Sequence, residues 1–369
     1  MENTESLAYK IALSMIPGIG NVTARNLIAY IGSVEGIFKE KEKNLVKIPG
    51  IGEVNAKKVI SQNVLQQAKR EVDFILKNRI QTFFYLDDNY PTRLKSCSDA
   101  PIILYFKGNA NLNERKIISV VGTRNATQYG KELCDELIQS FAQKNYPLVV
   151  VSGLAYGIDV QVHKACLKYE IPTIGVFAHG LDTIYPALHA SVAARMLEKG
   201  GLVSDFASNT QIDRQNFLRR NRIIAGLADA TIVVESAEKG GALVTADIAN
   251  SYNRDVFAFP GRSTDPFSRG CNKLIKMNKA VLVESQADIE KAMNWDTNST
   301  APKVIQTSLF VTLDTDEQKL VDLLKGGDCF IDEITIESQL PMSRVSSLLL
   351  NLEFKGLVTS LPGKMYRLK

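Results

Sequence analysis

The chain has 369 residues, a formal net charge of +4 and a pI of about 8.6, enough for two or three domains and too mildly basic for a chain-wide nucleic-acid surface. No apolar run approaches the roughly 20 residues that span a bilayer, so no membrane partner is expected. Five cysteines without a CxxC pair favour a reducing, cytoplasmic location, and three histidines without ligand spacing predict no metal site.

A repeated motif lies near the start of the chain. Residues 16–28 have the sequence IPGIGNVTARNLI and residues 48–60 have IPGIGEVNAKKVI. Each copy places Pro-Gly, an apolar residue and Gly before an amphipathic helical pattern, which resembles the helix-hairpin-helix motif. Such glycines allow positive φ and let backbone N–H groups approach a phosphate. The repeat predicts a helical domain over 1–66, and it leaves open whether that domain contacts DNA or serves as a scaffold for protein contacts.

Residues 67–295 are predicted to form an extended Rossmann-like domain. The segment 66–112 combines a helical pattern with a strand candidate at 82–86, and we expect it to extend the edge of the following sheet. Beyond it, short apolar runs alternate with helical segments, which is typical of a doubly wound, mostly parallel α/β sheet. The predicted strands are 117–121, 148–152, 173–178, 201–205, 231–235, 256–260 and 280–283.

Glycine and small polar residues follow several of these strands, at the edge where doubly wound sheets bind their ligands. They are Gly122, Thr123 and Arg124 after the first strand, Ser152 and Gly153 at the end of the second, and Gly241 and Thr245 after the fifth. Neither the GxGxxG dinucleotide fingerprint nor the P-loop pattern occurs, which indicates a nucleotide-type fold put to another use. His179 and His189 are interpreted as structural, because no pairing of a nucleophile with a base is visible.

The stretch 213–247 concentrates the positive charge. Within nine positions it holds one aromatic residue, Phe217, and four arginines: Arg214, Arg219, Arg220 and Arg222. Arginines beside an aromatic ring suit a phosphodiester strand with unstacked bases. The apolar strand, glycine turn and helix start that follow would present backbone N–H groups to an anion. The stretch therefore indicates anion binding.

The arginines differ in their places on a helical wheel. Arg220 shares the arc of three apolar residues of the same helix, so it either pairs with a buried carboxylate or faces an anion. Arg219 and Arg222 lie elsewhere on the wheel, and solvation alone would explain both.

Five ordered blocks together resemble the signature of DNA-processing protein A, the DprA/Smf family. They are GTR at 122–124, SGLAYGID at 152–159, GLDTIYP at 180–186, FLRRNRIIAGL at 217–227 and GGALVTA at 240–246. The resemblance covers about 115–284 and the domain order agrees with it. It implies an extended Rossmann fold that binds single-stranded DNA and forms homodimers. It also implies protection of incoming strands during natural transformation and loading of the RecA recombinase onto them, with no known catalysis and no cofactor.

The resemblance also implies roles for individual residues. Arg124 would hold a phosphate, Ser152 would offer a hydroxyl and Gly153 a backbone amide, and Phe217 would lie against a base or sugar. The complete set of implied DNA-binding residues is Gly122, Thr123, Arg124, Ser152, Gly153, Arg214, Phe217, Arg220, Asn221, Arg222, Gly241 and Thr245. In one departure, Leu218 replaces the proline common in the family's block, which bears on where the helix starts and on the direction of Phe217.

The C-terminal part is predicted to be a winged helix. Residues 296–308 look like a polar linker and residues 309–369 like the family's C-terminal domain. Helical patterns cover about 315–325, 331–339 and 342–355, and a hairpin follows from 358 to 368. The third helix of such a domain normally reads a major groove. Here it carries only Arg344 and Lys355 among mostly neutral residues, which argues against strong duplex binding and favours a protein-interaction or autoregulatory role.

Our leading hypothesis is a non-enzymatic, cytoplasmic, dimeric protein that binds single-stranded DNA and passes it to a RecA-type recombinase. Two alternatives stay open. Nucleoside-monophosphate phosphoribohydrolases place a PGGxGTxxE turn on a similar sheet, and Gly240 and Gly241 lie at the equivalent place. However, Lys239 stands where the proline would be, and Ala246 and Asp247 occupy the acidic positions. The other alternative is a duplex-binding regulator built on the hairpin repeat and the winged helix.

Overall fold

The computed structural model describes residues 4–144, 146–295 and 313–369. The predicted linker at 296–308 and the first residues of the predicted winged helix lie outside these ranges. The described chain comprises an N-terminal helical domain, a nine-stranded and mostly parallel sheet flanked by helices, and a C-terminal domain of three helices with a small sheet. The predicted α/β fold class is therefore confirmed. No helix within the described ranges has the length and apolar character needed to cross a membrane.

The N-terminal domain contains six helices that share one apolar core. They are α1 (Thr4–Met15), α2 (Asn21–Ile31), α3 (Val34–Lys39), α4 (Glu42–Leu45), α5 (Glu53–Ser61) and α6 (Leu65–Asn78). The two copies of the sequence repeat form matching hairpins, with Gly18 at φ 77° and Gly50 at φ 80°. Each hairpin leads into a helix whose N-cap is a glycine, Gly20 for α2 and Gly52 for α5.

The central sheet has the strand order β1-β2-β6-β5-β4-β3-β7-β8-β9. Its strands are β1 (Gln81–Phe84), β2 (Ile103–Gly108), β3 (Ile117–Val121), β4 (Val149–Ser152), β5 (Thr173–Val176), β6 (Gly201–Ser204), β7 (Ala230–Val233), β8 (Asp255–Ala258) and β9 (Val281–Leu282). From β6 across to β9 neighbouring strands are parallel, as predicted, while β1 and β2 form an antiparallel hairpin on the β6 edge. The sequence prediction misses β2 itself.

Helices cover both faces of the sheet. They are α7 (Thr92–Lys95), α8 (Gln128–Gln143), α9 (Ile158–Lys168), α10 (Ala190–Lys199), α11 (Arg214–Leu227), α12 (Gly241–Ser251), α13 (Arg269–Lys276) and α14 (Gln286–Ala292). Alternate residues of β3 enter different cores, because successive strand side chains point to opposite faces. Ile117 and Val121 pack with α11 and α12, whereas Ile118 and Val120 pack with α8 and α9.

The strand order reverses between β3 and β7. β3 lies between β4 and β7, so the connections that leave these strands run to opposite sides and open a crevice at their carboxyl ends. The loops after β3 and β7 are joined there by a hydrogen bond in which Thr123 N donates to Glu235 O at 2.7 Å. Ligands of open α/β sheets bind at this kind of crevice, so it sets the place of the candidate site.

The C-terminal domain has the predicted three helices and hairpin. Its elements are α15 (Thr315–Leu324), β10 (Cys329–Phe330), α16 (Ile331–Ser338), α17 (Met342–Phe354), β11 (Val358–Leu361) and β12 (Met365–Leu368). Two basic residues, Arg344 in α17 and Lys355 directly after it, are both paired with acids of α15. Arg344 lies 3.2 Å from Asp316, and Lys355 lies 2.5 Å from Glu317. This pairing further weakens the positive face that α17 could turn toward a duplex.

Candidate nucleic-acid interface

The loop after β3 is clamped between two other elements. Thr123 donates its N–H to Glu235 O in the loop after β7, as above, and its carbonyl accepts from Ile158 N at the start of α9 at 3.1 Å. A Cβ on Gly122 would overlap the side chain of Ile158, so only glycine permits this close approach. The clamped loop delivers Arg124 to the surface, where its side chain is exposed.

Phe217 lies between two guanidinium groups at this edge. The guanidinium carbon of Arg124 is 5.5 Å from the centre of the Phe217 ring, and that of Arg220 is 5.9 Å away. The ring of Tyr185 adds a third neighbour, with its centre 6.0 Å from that of Phe217. The structure thus brings together residues of the loop after β3, the loop after β5 and the first half of α11.

The start of α11 settles how Phe217 is aimed. Asp213 caps the helix by accepting a hydrogen bond from Gln215 N at 2.7 Å, and the helix begins at Arg214. Leu218 therefore lies inside a continuous helix with its side chain exposed. With leucine in place of the family's proline, Phe217 is still directed at the carboxyl edge of the sheet. Arg214, in the first turn, is exposed.

Arg220 lies in the second turn of α11 and is buried. It is 5% exposed, its Nη1 donates to Val176 O, and its Nε has no hydrogen-bond partner among the described residues. Together with Phe217 and Tyr185 it lines a small cleft of ≈ 10 Å³, room for about one water. The Arg220 guanidinium therefore contacts the main chain on one side and lines the cleft on the other.

The buried carboxylate beside Arg220 is Asp159 of α9. A Cβ on Gly153 would overlap both the Asp159 carboxylate and the Arg220 guanidinium, so both charged groups lie close to the glycine. Burial raises the pKa of Asp159, and the Arg220 charge opposes that rise. Burial lowers the pKa of Arg220, and Asp159 opposes this in turn. The guanidinium keeps its proton, because arginine stays charged in proteins.

Ser152, at the end of β4, does not present its hydroxyl as expected. Its side chain is fully buried and its hydroxyl donates to Val120 O at 2.6 Å, so no hydroxyl is presented at the surface. The neighbouring Gly153 carbonyl lies 2.5 Å from Nε2 of His163, whose Nδ1 is 2.7 Å from Thr173 Oγ1. Burial lowers the pKa of His163 to about 4, so the ring is neutral near pH 7 and fixes the loop that carries Gly153.

The start of α12 forms the other side of the crevice. Its N-cap, Gly240, supplies no side-chain cap, and Gly241 is exposed with open space where a Cβ would lie. Of the first-turn N–H groups, that of Leu243 donates to Gly240 O at 3.2 Å, which leaves those of Gly241 and Ala242 for the rim. Thr245 is different, since it is buried and its hydroxyl points back toward Gly241 O at 3.4 Å. The expected rim therefore contains Gly241, while the hydroxyl of Thr245 faces the interior.

Arg222 lies on the opposite face of α11 from Arg220, because two residues correspond to about 200° of helical rotation. It is buried, forms an ion pair with Asp205 and donates to Asp99 O at 2.7 Å. The interpretation of Arg222 as a solvated arginine is therefore wrong. Asn221 is buried between these two faces, whereas Arg219 is exposed, with its guanidinium 5.6 Å from the ring centre of Phe206.

Three residues of this edge escaped the sequence analysis. Asp159 stands in the SGLAYGID block, but its burial beside Arg220 depends on contacts between distant parts of the chain. Tyr156 and Tyr185 are 48% and 46% exposed in the loops after β4 and β5. Their signal was an aromatic residue in the loop after a predicted strand of a doubly wound sheet.

The three histidines lie in the interior of the fold. Each is buried, and each has a ring nitrogen within hydrogen-bond distance of a main-chain carbonyl: His163 with Gly153, His179 with Gly180 and His189 with Leu154. Within the described ranges, no group of three or more histidine, cysteine or acidic side chains could hold a metal ion.

Three family models match parts of this chain. The family model for DNA recombination-mediator protein A matches residues 81–294, that for the DprA winged helix domain matches 309–364, and that for a SAM-like helix-hairpin-helix tandem matches 10–62. Protein Smf of Synechocystis sp. is 30% identical over 401 residues, covering 100% of both chains.

Two solved structures are similar to this chain. The X-ray structure of DNA processing protein A from Streptococcus pneumoniae has a TM-score of 0.66 and 31% identity, covering 79% of this chain and 98% of that one. A structure of DNA processing protein A from Helicobacter pylori, which concerns that protein's single-stranded DNA binding mode, has a TM-score of 0.53 and 26% identity, covering 59% and 97%. The chain belongs to the DNA recombination-mediator protein A family, also called DprA/Smf.

Proposed function

We propose that this protein binds single-stranded DNA across the carboxyl edge of its parallel sheet and acts as a recombination mediator. The observation that carries the proposal is Phe217, which lies 5.5 and 5.9 Å from the guanidinium groups of Arg124 and Arg220 beside a glycine loop. Cations that neutralise phosphates, next to a ring that can stack on any base, are what sequence-tolerant single-strand binding requires. The relative from H. pylori is a single-stranded DNA-binding protein of the same family.

The place of each expected residue, at the edge or behind it, divides the set into two roles, and two of the edge residues, Gly153 and Arg220, are themselves buried. Direct contact with the strand is assigned to the residues at the edge: Gly122, Thr123, Arg124, Gly153, Arg214, Phe217, Arg220 and Gly241. A supporting role inside the fold is assigned to Ser152, Asn221, Arg222 and Thr245, all of which are buried. Arg124 and Arg214 are exposed and can reach phosphates freely, whereas Arg220 presents a fixed charge at the bottom of the cleft.

The finer parts of the proposal follow the family resemblance. The protein is cytoplasmic and homodimeric, performs no catalysis, and transfers its strand to a RecA-type recombinase. A non-catalytic role is supported by the three histidines, which are held against main-chain carbonyls in the interior. A weak positive face on α17 supports a protein contact for the winged helix. The hairpins around Gly18 and Gly50 remain available for DNA or protein, because both glycines are exposed.

Fluorescence anisotropy with a labelled oligo-dT strand and its matched duplex tests the proposal. We expect the single strand to bind more tightly, Arg124→Ala to weaken that binding, and Arg219→Ala to leave it unchanged. Arg219 is the matched control, since it is exposed on the same helix and lies by Phe206, away from Phe217. A preference for the duplex, or equal effects of the two variants, would contradict the proposal. Recombinase transfer is tested by the rate at which a RecA-type protein assembles on strands with and without this protein.

A further inference from the structure

Exposed aromatic side chains are concentrated at the edge just described. Five are strongly exposed among the described residues: Tyr30, Tyr129, Tyr156, Tyr185 and Phe354. Tyr129, Tyr156 and Tyr185 follow the carboxyl ends of β3, β4 and β5, three adjacent strands of the sheet. Large apolar surfaces that gather at one place on a protein mark an interaction site.

The ring of Tyr156 packs against a neighbouring side chain on one side and is exposed on the other. Its ring meets the ring of His189 edge-on, with centres 5.0 Å apart and planes inclined by 70°. His189 is itself buried and hydrogen-bonded through Nδ1 to Leu154 O at 2.8 Å. The tyrosine ring is therefore supported by a rigid neighbour, while 48% of the residue stays exposed.

Tyr185 connects this ring region to the proposed phosphate site. Its ring centre is 6.0 Å from that of Phe217, and it lines the same small cleft as Arg220. Tyr129 lies on the other side of the crevice, because its hydroxyl donates to Pro260 O, beyond the end of β8, at 3.3 Å. Tyr156 and Tyr185 thus stand on the β4–β5 side of the edge, and Phe217 links them to Arg124.

We propose that Tyr156 and Tyr185 extend Phe217 into a base-stacking platform, which holds successive bases of a single strand while Arg124 and the glycine loops hold its phosphates. This inference rests on the proposed function and adds where the bases lie. Neighbouring strands are about 4.8 Å apart, and stacked nucleotides rise about 3.4 Å each. The strands that carry the two loops are therefore spaced on the scale of neighbouring bases. Aromatic faces accept any base, so the platform raises affinity without choosing a sequence.

An abasic DNA strand distinguishes binding at the platform from binding at the phosphate site. The probes are labelled oligo-dT and an abasic strand of the same length, which carry the same phosphates. The variants are the double substitutions Tyr156→Ala with Tyr185→Ala and Tyr156→Phe with Tyr185→Phe. Tyr30→Ala serves as the control, because Tyr30 is an exposed tyrosine of α2 in the N-terminal domain.

We expect wild type to bind oligo-dT more tightly than the abasic strand. The double alanine variant should lose at least about fivefold in oligo-dT affinity for each lost stack, with unchanged abasic affinity and unchanged salt dependence. The double phenylalanine variant and Tyr30→Ala should behave as wild type. Thermal melting should be unchanged throughout, because the tyrosines are exposed.

The platform is overturned if the double alanine variant keeps the wild-type ratio of oligo-dT to abasic affinity. Equal loss on both probes overturns it as well, since the tyrosines would then act on the phosphates or on the fold. A failure of the proposed function looks different: wild type would bind neither probe, or Arg124→Ala would leave both affinities unchanged.

Discussion

Alanine substitutions of Arg124 and Arg222 should separate an effect on DNA binding from an effect on stability. The side chains of Arg222 and Asp205 form an ion pair with only 9% and 7% exposure, and Asp205 Oδ1 has no other partner among the described residues. Arg222→Ala would leave that carboxylate buried and uncompensated, and breaking a buried pair in this way costs about 3–5 kcal/mol. At roughly 2–4 °C per kcal/mol for a domain of about 200 residues, the melting temperature should fall by about 6–20 °C.

Arg124→Ala should leave stability almost unchanged and weaken DNA binding. Arg124 is exposed and forms no ion pair within the described ranges, so its loss should change stability by no more than about 0.5 kcal/mol. If it neutralises one phosphate, the slope of log affinity against log salt should become shallower by about 0.7, the value for one contact to a single strand.

Both quantities are measured on the same proteins. Circular dichroism melting gives the stability, and fluorescence anisotropy with oligo-dT over a salt series, well below the melting transition, gives the slope. Arg222→Ala should melt early with a wild-type slope, and Arg124→Ala should melt like wild type with a shallower slope. The assignment of the two arginines is refuted if Arg222→Ala melts like wild type, or if Arg124→Ala leaves the slope unchanged.

Three further predictions concern the same edge. Between pH 6.5 and about 4 the unfolded chain protonates His163 and the folded protein does not, because burial lowers the pKa of His163 to about 4. As the pH is lowered through this window, the free energy of unfolding should therefore decrease, by about 3 kcal/mol from this group. In urea unfolding His163→Gln should show a smaller decrease, and an equal decrease would contradict the prediction. Gly153→Ala should lower both the melting temperature and oligo-dT affinity, since the added Cβ meets Asp159 and Arg220 and overpacking costs about 1–3 kcal/mol; wild-type values in both assays would count against this geometry. Phe217→Ala should weaken oligo-dT binding by about 1–3 kcal/mol with an unchanged salt slope, and a shallower slope in anisotropy titrations would assign the loss to phosphate contacts instead.

The parallel part of the fold was predictable because its strands are buried on both faces. β3, β4 and β7 are runs in which every residue is buried, and such runs give a clear signal in sequence. The β1–β2 hairpin was only partly predictable. Strand β2 gains its place by pairing antiparallel with β6, almost 100 residues later in the chain, and no local pattern encodes that partner.

The site was predictable in position but not in side-chain orientation. The helical wheel placed Arg220 on the apolar arc of its helix, and the residue is buried. It failed for Arg222 because the second half of α11 is buried all round, from Arg220 through Leu227, and a wheel assigns inside and outside only when one face is solvated. Ser152 shows the same limit, since a motif fixes where the residue stands and not which neighbour its hydroxyl meets.

Photocrosslinking locates the bound strand most directly. Oligo-dT carrying 4-thiothymidine would be irradiated in complex with the wild-type protein, and the crosslinked peptides mapped by mass spectrometry. Binding at the carboxyl edge predicts crosslinks at Phe217 and in the loops that carry Tyr156 and Tyr185, with their loss when unlabelled oligo-dT competes. Crosslinks confined to the hairpins around Gly18 and Gly50, or to the winged helix, would contradict it.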